Sequence, residues 1–64
     1  MTYSILDNGN VVASFDQEDL AVAALDRLAN ASPEIAERLL LVIFDEHGHV
    51  VADRVPGERV SQHA

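Results

Sequence analysis

Ile5-Leu6-Asp7-Asn8-Gly9-Asn10-Val11-Val12-Ala13 recurs later in the chain as Ile43-Phe44-Asp45-Glu46-His47-Gly48-His49-Val50-Val51-Ala52, with one residue inserted ahead of the glycine. Each copy reads as a β-hairpin. Asp and Asn hydrogen-bond their own backbone and tolerate turn geometry, while Gly takes positive φ without a Cβ clash. Asn8-Gly9 suits a two-residue type I′ turn, and Glu46-His47-Gly48 suits a longer loop closed by a glycine bulge. The flanking Ile, Leu, Phe and Val residues are strand formers in both copies.

Working outward, the segment between the hairpins carries helix signals. Asp16 reads as an N-cap, Gln17, Glu18 and Asp19 put acceptors and negative charge on the first turn, and Phe15 can staple to Leu20. The pattern predicts a main helix over about Gln17 to Asn30. Ser32-Pro33-Glu34 opens a second, short helix through about Arg38. Leu39-Leu40-Leu41-Val42-Ile43-Phe44 then runs apolar without alternation, the mark of a strand buried on both faces.

These elements give an α+β fold in the order ββαββ: a four-stranded, mainly antiparallel sheet with the main helix and a short second helical turn on one face. The expected strand order is 2-1-3-4. The most apolar strand is then central, and the strand starting at Val50, with Asp53 and Arg54, lies at an edge where charge discourages further pairing. One domain over residues 1–55 is expected, followed by a poorly ordered tail over 56–64, where Pro56-Gly57 breaks the pattern.

The whole chain has 64 residues, 48% of them hydrophobic, no cysteine, and a formal net charge of −7 from eleven acids against four arginines. A single core this small buries only about 60% of the unfolded chain's surface and usually needs a staple or a partner; disulfides are excluded. The charge disfavours a phosphate backbone, so no nucleic-acid partner is expected. No apolar run approaches the roughly 20 residues of a bilayer span, so no membrane partner is expected either. The first residues lack a basic start and apolar run, so the expected compartment is the cytoplasm. The hairpin-then-helix opening, Tyr3 to Leu6 and Val11 to Phe15 before an alanine-rich helix, resembles the start of small antitoxin domains of the HicB type over roughly the first thirty residues. It carries no diagnostic motif, and no family is assigned from it.

Apolar surface exceeds what one helix can cover. Leu20, Ala21, Val22, Ala24, Leu25, Leu28 and Ala29 spread over roughly 200° of the main helix, against ~100° for one packed face. With a regular two-residue hairpin, Leu6, Val11 and Ala13 share one sheet face while Tyr3, Ile5 and Val12 share the other. Both faces carry aliphatic side chains. A homodimer is therefore expected, with Tyr3, Ile5 and Val12 as the sheet candidates for its interface and Val22 marking the excess helical arc.

The densest polar cluster is Asp45-Glu46-His47-Gly48-His49. Two imidazoles beside carboxylates are the ligand types of zinc, so His47, His49 and Asp45 are the metal candidates, yet wet hairpin tips carry such residues without a role. The expectation is no tight metal site and no cofactor. Serines and histidines are present, but nothing draws them into a sheltered pocket, and Gly9, Gly48 and Gly57 are isolated turn glycines instead of a phosphate loop. No catalytic residue is assigned. The expected function is a non-enzymatic protein-interaction module that forms a homo-oligomer and offers apolar or acidic surface to another protein; the alternative is a small-ligand or metal-binding protein using the Asp45–His49 turn.

Overall fold

A computed structural model describes residues 1–56. Its elements are β1 (Thr2–Asp7), β2 (Asn10–Phe15), α1 (Glu18–Ala31), α2 (Pro33–Ala36), β3 (Leu39–Phe44) and β4 (Val50–Arg54). The strands form one antiparallel sheet in the order β2-β1-β3-β4, as the patterning predicts. The expectation for the tail falls, beyond Pro56, outside the described residues.

Both turns follow their chemistry. Asn8 and Gly9 take φ of 55° and 89°, the two positive values a type I′ turn requires. In the second hairpin Gly48 N–H donates to the Asp45 carbonyl at 3.0 Å and Gly48 has φ of 82°, so the glycine closes the longer loop as a bulge.

Helix α1 starts one residue later than expected. Gln17 occupies the N-cap position in extended backbone, and no side chain caps the first turn. Asp16 therefore lies outside the helix and is not its cap; the Asp19 carboxylate instead accepts from the Leu20 N–H at 3.0 Å. The short helix stops at Ala36 rather than Arg38, because β3 must begin at Leu39 to pair with Asp7.

The core consists of Ile5, Leu39 and Leu41 from the sheet against Ala21 and Leu25 of α1, with Tyr3, Ala13, Phe15, Val22, Leu28 and Ile35 packed around them. This overturns the expected division of the sheet faces. Ile5 is wholly buried beneath α1, and Ala13 lies opposite it, on the same face. The cause is a single residue. The β1–β2 ladder runs Leu6↔Val11 and then Ile5↔Ala13, so Val12 is an extra residue that the pairing skips, a β-bulge that reverses the alternation of everything after it. The β3–β4 ladder does the same: Phe44 pairs with Val50 and Ile43 with Ala52, leaving out Val51. In both copies of the repeat the bulged residue is the middle one of Val-Val-Ala.

Two arginine–carboxylate ion pairs brace the sheet. Arg38 Nε donates to Asp7 Oδ1 at 2.9 Å, and the Asn8 N–H donates to the Arg38 carbonyl at 3.1 Å, fastening the entrance of β3 to the first hairpin tip. The hydrogen bond to Asp7, and then its negative charge, raise the Arg38 pKa above its ordinary value. On the other side, Arg54 of β4 reaches Glu18 in the first turn of α1 at 3.4 Å.

Candidate interaction surface

Because α1 and α2 pack against the Ile5 face, the opposite face of the sheet has no described element over it. Strand alternation sets its residues: Thr2, Ser4 and Leu6 from β1, Leu40, Val42 and Phe44 from β3, with Val11 and Ser14 from β2 and Val50 and Asp53 from β4 opposite them in the ladders. The centre is little exposed: Ser4 is 5% exposed and Val42 8%. Leu6, Leu40 and Phe44 are half-buried. At the flanks Val11 and Val50 are 61% and 60% exposed.

The polar groups at the middle of this face are paired with each other. The Ser4 and Ser14 hydroxyls lie 3.1 Å apart across the β1–β2 ladder and hydrogen-bond each other. Among the described residues no buried side-chain nitrogen or oxygen lacks a partner. Covering this pair with an apolar surface strands fewer polar groups than two separate hydroxyls would, because one of the two O–H groups already has its acceptor. Asp53 is the single acid on the face among the described residues, and it lies on the edge strand β4.

The structure distributes the predicted interface residues differently from the sequence reading. Tyr3, Ile5 and Val22 belong to the core under α1 and are not part of the open face. Val12 is exposed as the bulged residue of edge strand β2. Leu6 and Val11 share one face, as a regular hairpin also has them, and that face is the open one; Ala13, expected beside them, lies with Ile5 on the helix side. The signal that could have revealed this was the doubled valine itself, present in both copies of the repeat, because an extra β-branched residue in one strand of a hairpin is what a bulge accommodates.

The second hairpin tip is held by one carboxylate. Asp45 Oδ1 accepts from the backbone N–H of His47 at 2.8 Å and of His49 at 2.9 Å, so one oxygen of this acid is committed to the turn. Its other oxygen lies 3.9 Å from His49 Nδ1, and Glu46 lies 3.9 Å from His47 Nε2. The two imidazole rings are tilted with centroids 6.3 Å apart, both well exposed. Among the described residues no group of three His, Cys, Asp or Glu side chains is placed to hold a metal ion.

The fold and this surface define a small ββαββ protein with a sheet covered by helix on one side among the described residues. Comparison with protein-family models, curated proteins and solved structures gives no match for the chain. Among the described residues no helix is long and apolar enough to cross a membrane.

Proposed function

We propose that this chain is a non-enzymatic, homo-oligomeric protein-interaction module whose docking surface is the sheet face opposite α1. The observation that carries the reading is the unbroken apolar row of Leu6, Leu40, Val42 and Phe44, flanked by Val11 and Val50, with no described element over it. Fully burying a Val, Leu or Phe side chain contributes about 1.5–3 kcal/mol, and these side chains are part-buried already, so covering the row adds several kcal/mol in gross terms. That is comparable with the 3–5 kcal/mol a single core supplies in a domain of this size. The partner is protein rather than nucleic acid, because the net charge of −7 opposes a phosphate backbone. The expected compartment remains the cytoplasm.

The test is sedimentation velocity over a concentration series with a paired variant. Val11→Asp/Val50→Asp changes two residues that stand in solvent, so the monomer keeps its circular dichroism spectrum while a carboxylate is forced into any interface on this face. Wild type should sediment as a dimer at tens of micromolar and the variant as a monomer. A folded wild-type monomer throughout that range would defeat the reading.

A second reading, metal or small-ligand binding at the Asp45–His49 turn, draws on the preorganised loop and its two neighbouring imidazoles. It lacks a third ligand, and the carboxylate best placed to serve is bonded to the turn's own backbone. A dimer unchanged by a chelator separates the two.

A further inference from the structure

The two hairpins are related by an internal near two-fold axis. Hairpin β1–β2 maps onto β3–β4 with Ser4 on Val42, Leu6 on Phe44, Val11 on Val50 and the bulged Val12 on Val51. Ser4 and Val42 are themselves Cα partners in the central β1–β3 ladder, so the axis passes between them, normal to the sheet. On the open face this places Leu6 and Val11 in one half where Phe44 and Val50 stand in the other, around a centre of Ser4 and Val42.

Resting on the interaction-module reading, we propose that the occupant of this face is the same face of a second copy, stacked on it to give a four-layer helix–sheet–sheet–helix dimer centred on Ser4 and Val42. Three observations select a second copy. The first is charge: the chain carries eleven acids, but among the described residues Asp53, on edge strand β4, is the single one on this face, so two copies that repel elsewhere can approach here without facing carboxylates at the centre. The second is symmetry. An isologous interface needs a patch that is complementary to itself, and Leu6 and Val11 in one half against Phe44 and Val50 in the other supply matched apolar groups about the centre, although Thr2, Ser4 and Ser14 stand where the other half has Leu40, Val42 and Asp53. The central hydroxyls ask little of the partner, since one of the Ser4 and Ser14 O–H groups is already spent on the other.

The third is area. The molecule is a slab with extents of 32 × 27 × 18 Å, and its broad outline bounds the stacked face at roughly 700 Å² per copy, against ~800 Å² per partner in a standard interface. The four strands alone, at ~4.8 Å spacing and ~3.4 Å per residue, cover about half of that outline. Two copies together therefore bury between roughly 700 and 1,400 Å², at or below the lower end of stable interfaces, so the dimer is a weak, concentration-dependent one.

The test is an isotope-filtered NOESY spectrum on a mixture of ¹³C-labelled and unlabelled protein at a concentration where sedimentation shows the dimer. Sheets stacked ~10 Å apart interdigitate their side chains, so intermolecular cross-peaks should connect the Leu6, Leu40 and Val42 methyls and the Phe44 ring of one copy to the same set of the other. They should vanish in Val11→Asp/Val50→Asp. Intermolecular cross-peaks confined to Val12 and Ala13, or to Leu20 on α1, would place the contact at the β2 edge or the helix; the stacked arrangement would then be wrong while self-association stood. A wild type that stays monomeric at tens of micromolar would overturn both.

Discussion

Deleting one of the two adjacent valines, written here as ΔVal12, tests the origin of the sheet's two faces. In the observed ladder Asp7 pairs with Asn10, Leu6 with Val11, Ile5 with Ala13, Ser4 with Ser14 and Tyr3 with Phe15. Removing Val12 leaves that list of partners intact and converts a bulged hairpin into a regular one. Val12 is 54% exposed, so the side chain gives up at most about half of the 1.5–3 kcal/mol that full burial of an aliphatic residue contributes. A regular ladder offsets part of this, and the expected cost is about 1 kcal/mol or less. In a domain of this size that lowers the melting temperature by roughly 4–8 °C, leaving a cooperative transition. Had the strand been regular, the same deletion would send Ala13 and Phe15 to the open face and Ser14 towards the core. Losing Phe15 from beneath α1 would cost about 3–5 kcal/mol, and burying an unpaired hydroxyl about 1–3 more. Such a sum exceeds the stability of a small domain, so the chain would not fold. Urea and thermal unfolding followed by circular dichroism, at concentrations too dilute for association to contribute, separate the outcomes. A ΔVal12 chain without a cooperative transition, or one whose Ala13 methyl lost its NOE to Ile5, would refute the bulge argument.

Other consequences are open to measurement. Leu25→Ala removes a side chain that is 1% exposed at the centre of the core; the expected loss of about 2–5 kcal/mol should leave the domain largely unfolded in a urea titration, and a loss under 1 kcal/mol would contradict this packing. Gly48→Ala meets no atom within 4 Å of the new Cβ, so its cost should be the positive φ alone, about 1–2 kcal/mol, and Gly48→Asn should recover part of it. Zinc titrated calorimetrically at neutral pH should show no micromolar binding; heat of that affinity, abolished by changing His47 and His49 to Ala, would revive the metal reading.

Much of the fold was legible in the sequence because its strongest signals are local. Asn8-Gly9 fixes a type I′ turn through two positive φ values, and the uninterrupted run from Leu39 to Phe44 marks a central strand covered by neighbours on both sides. Neither inference depends on distant residues. Face assignment differs, because alternation carries an error forward: one unpaired valine reverses the side of every residue beyond it. Ala13 is therefore expected beside Leu6 and Val11 when it lies with Ile5 under α1. Ile5 is expected in the interface for another reason: alternation separates two faces without saying which one the helix covers. The N-terminus of α1 failed for a related reason. Asp16 is a good cap by type, but Phe15 must stay paired with Tyr3 at the end of β2, and the chain takes one further extended residue before it turns into the helix.

The internal two-fold explains why a face should be left open. Two like hairpins joined through the Ser4↔Val42 pair make a sheet whose halves share strand order and bulge position, and each hairpin brings apolar residues to both sides. The long helix follows only the first hairpin, and it packs on one side. On that side Ile5, Leu39 and Leu41 gain a cover from Ala21 and Leu25. On the other side the aliphatic residues that the same pattern supplies gain none from the described elements. A sequence with charged residues at Leu6, Leu40 and Phe44 would keep the helix-side core unchanged and hold this face in water, although all three side chains are half-buried in the monomer. That this chain places Leu, Leu and Phe there, and confines acid to Asp53 at the edge, is the physical reason to read the face as a surface made to be covered.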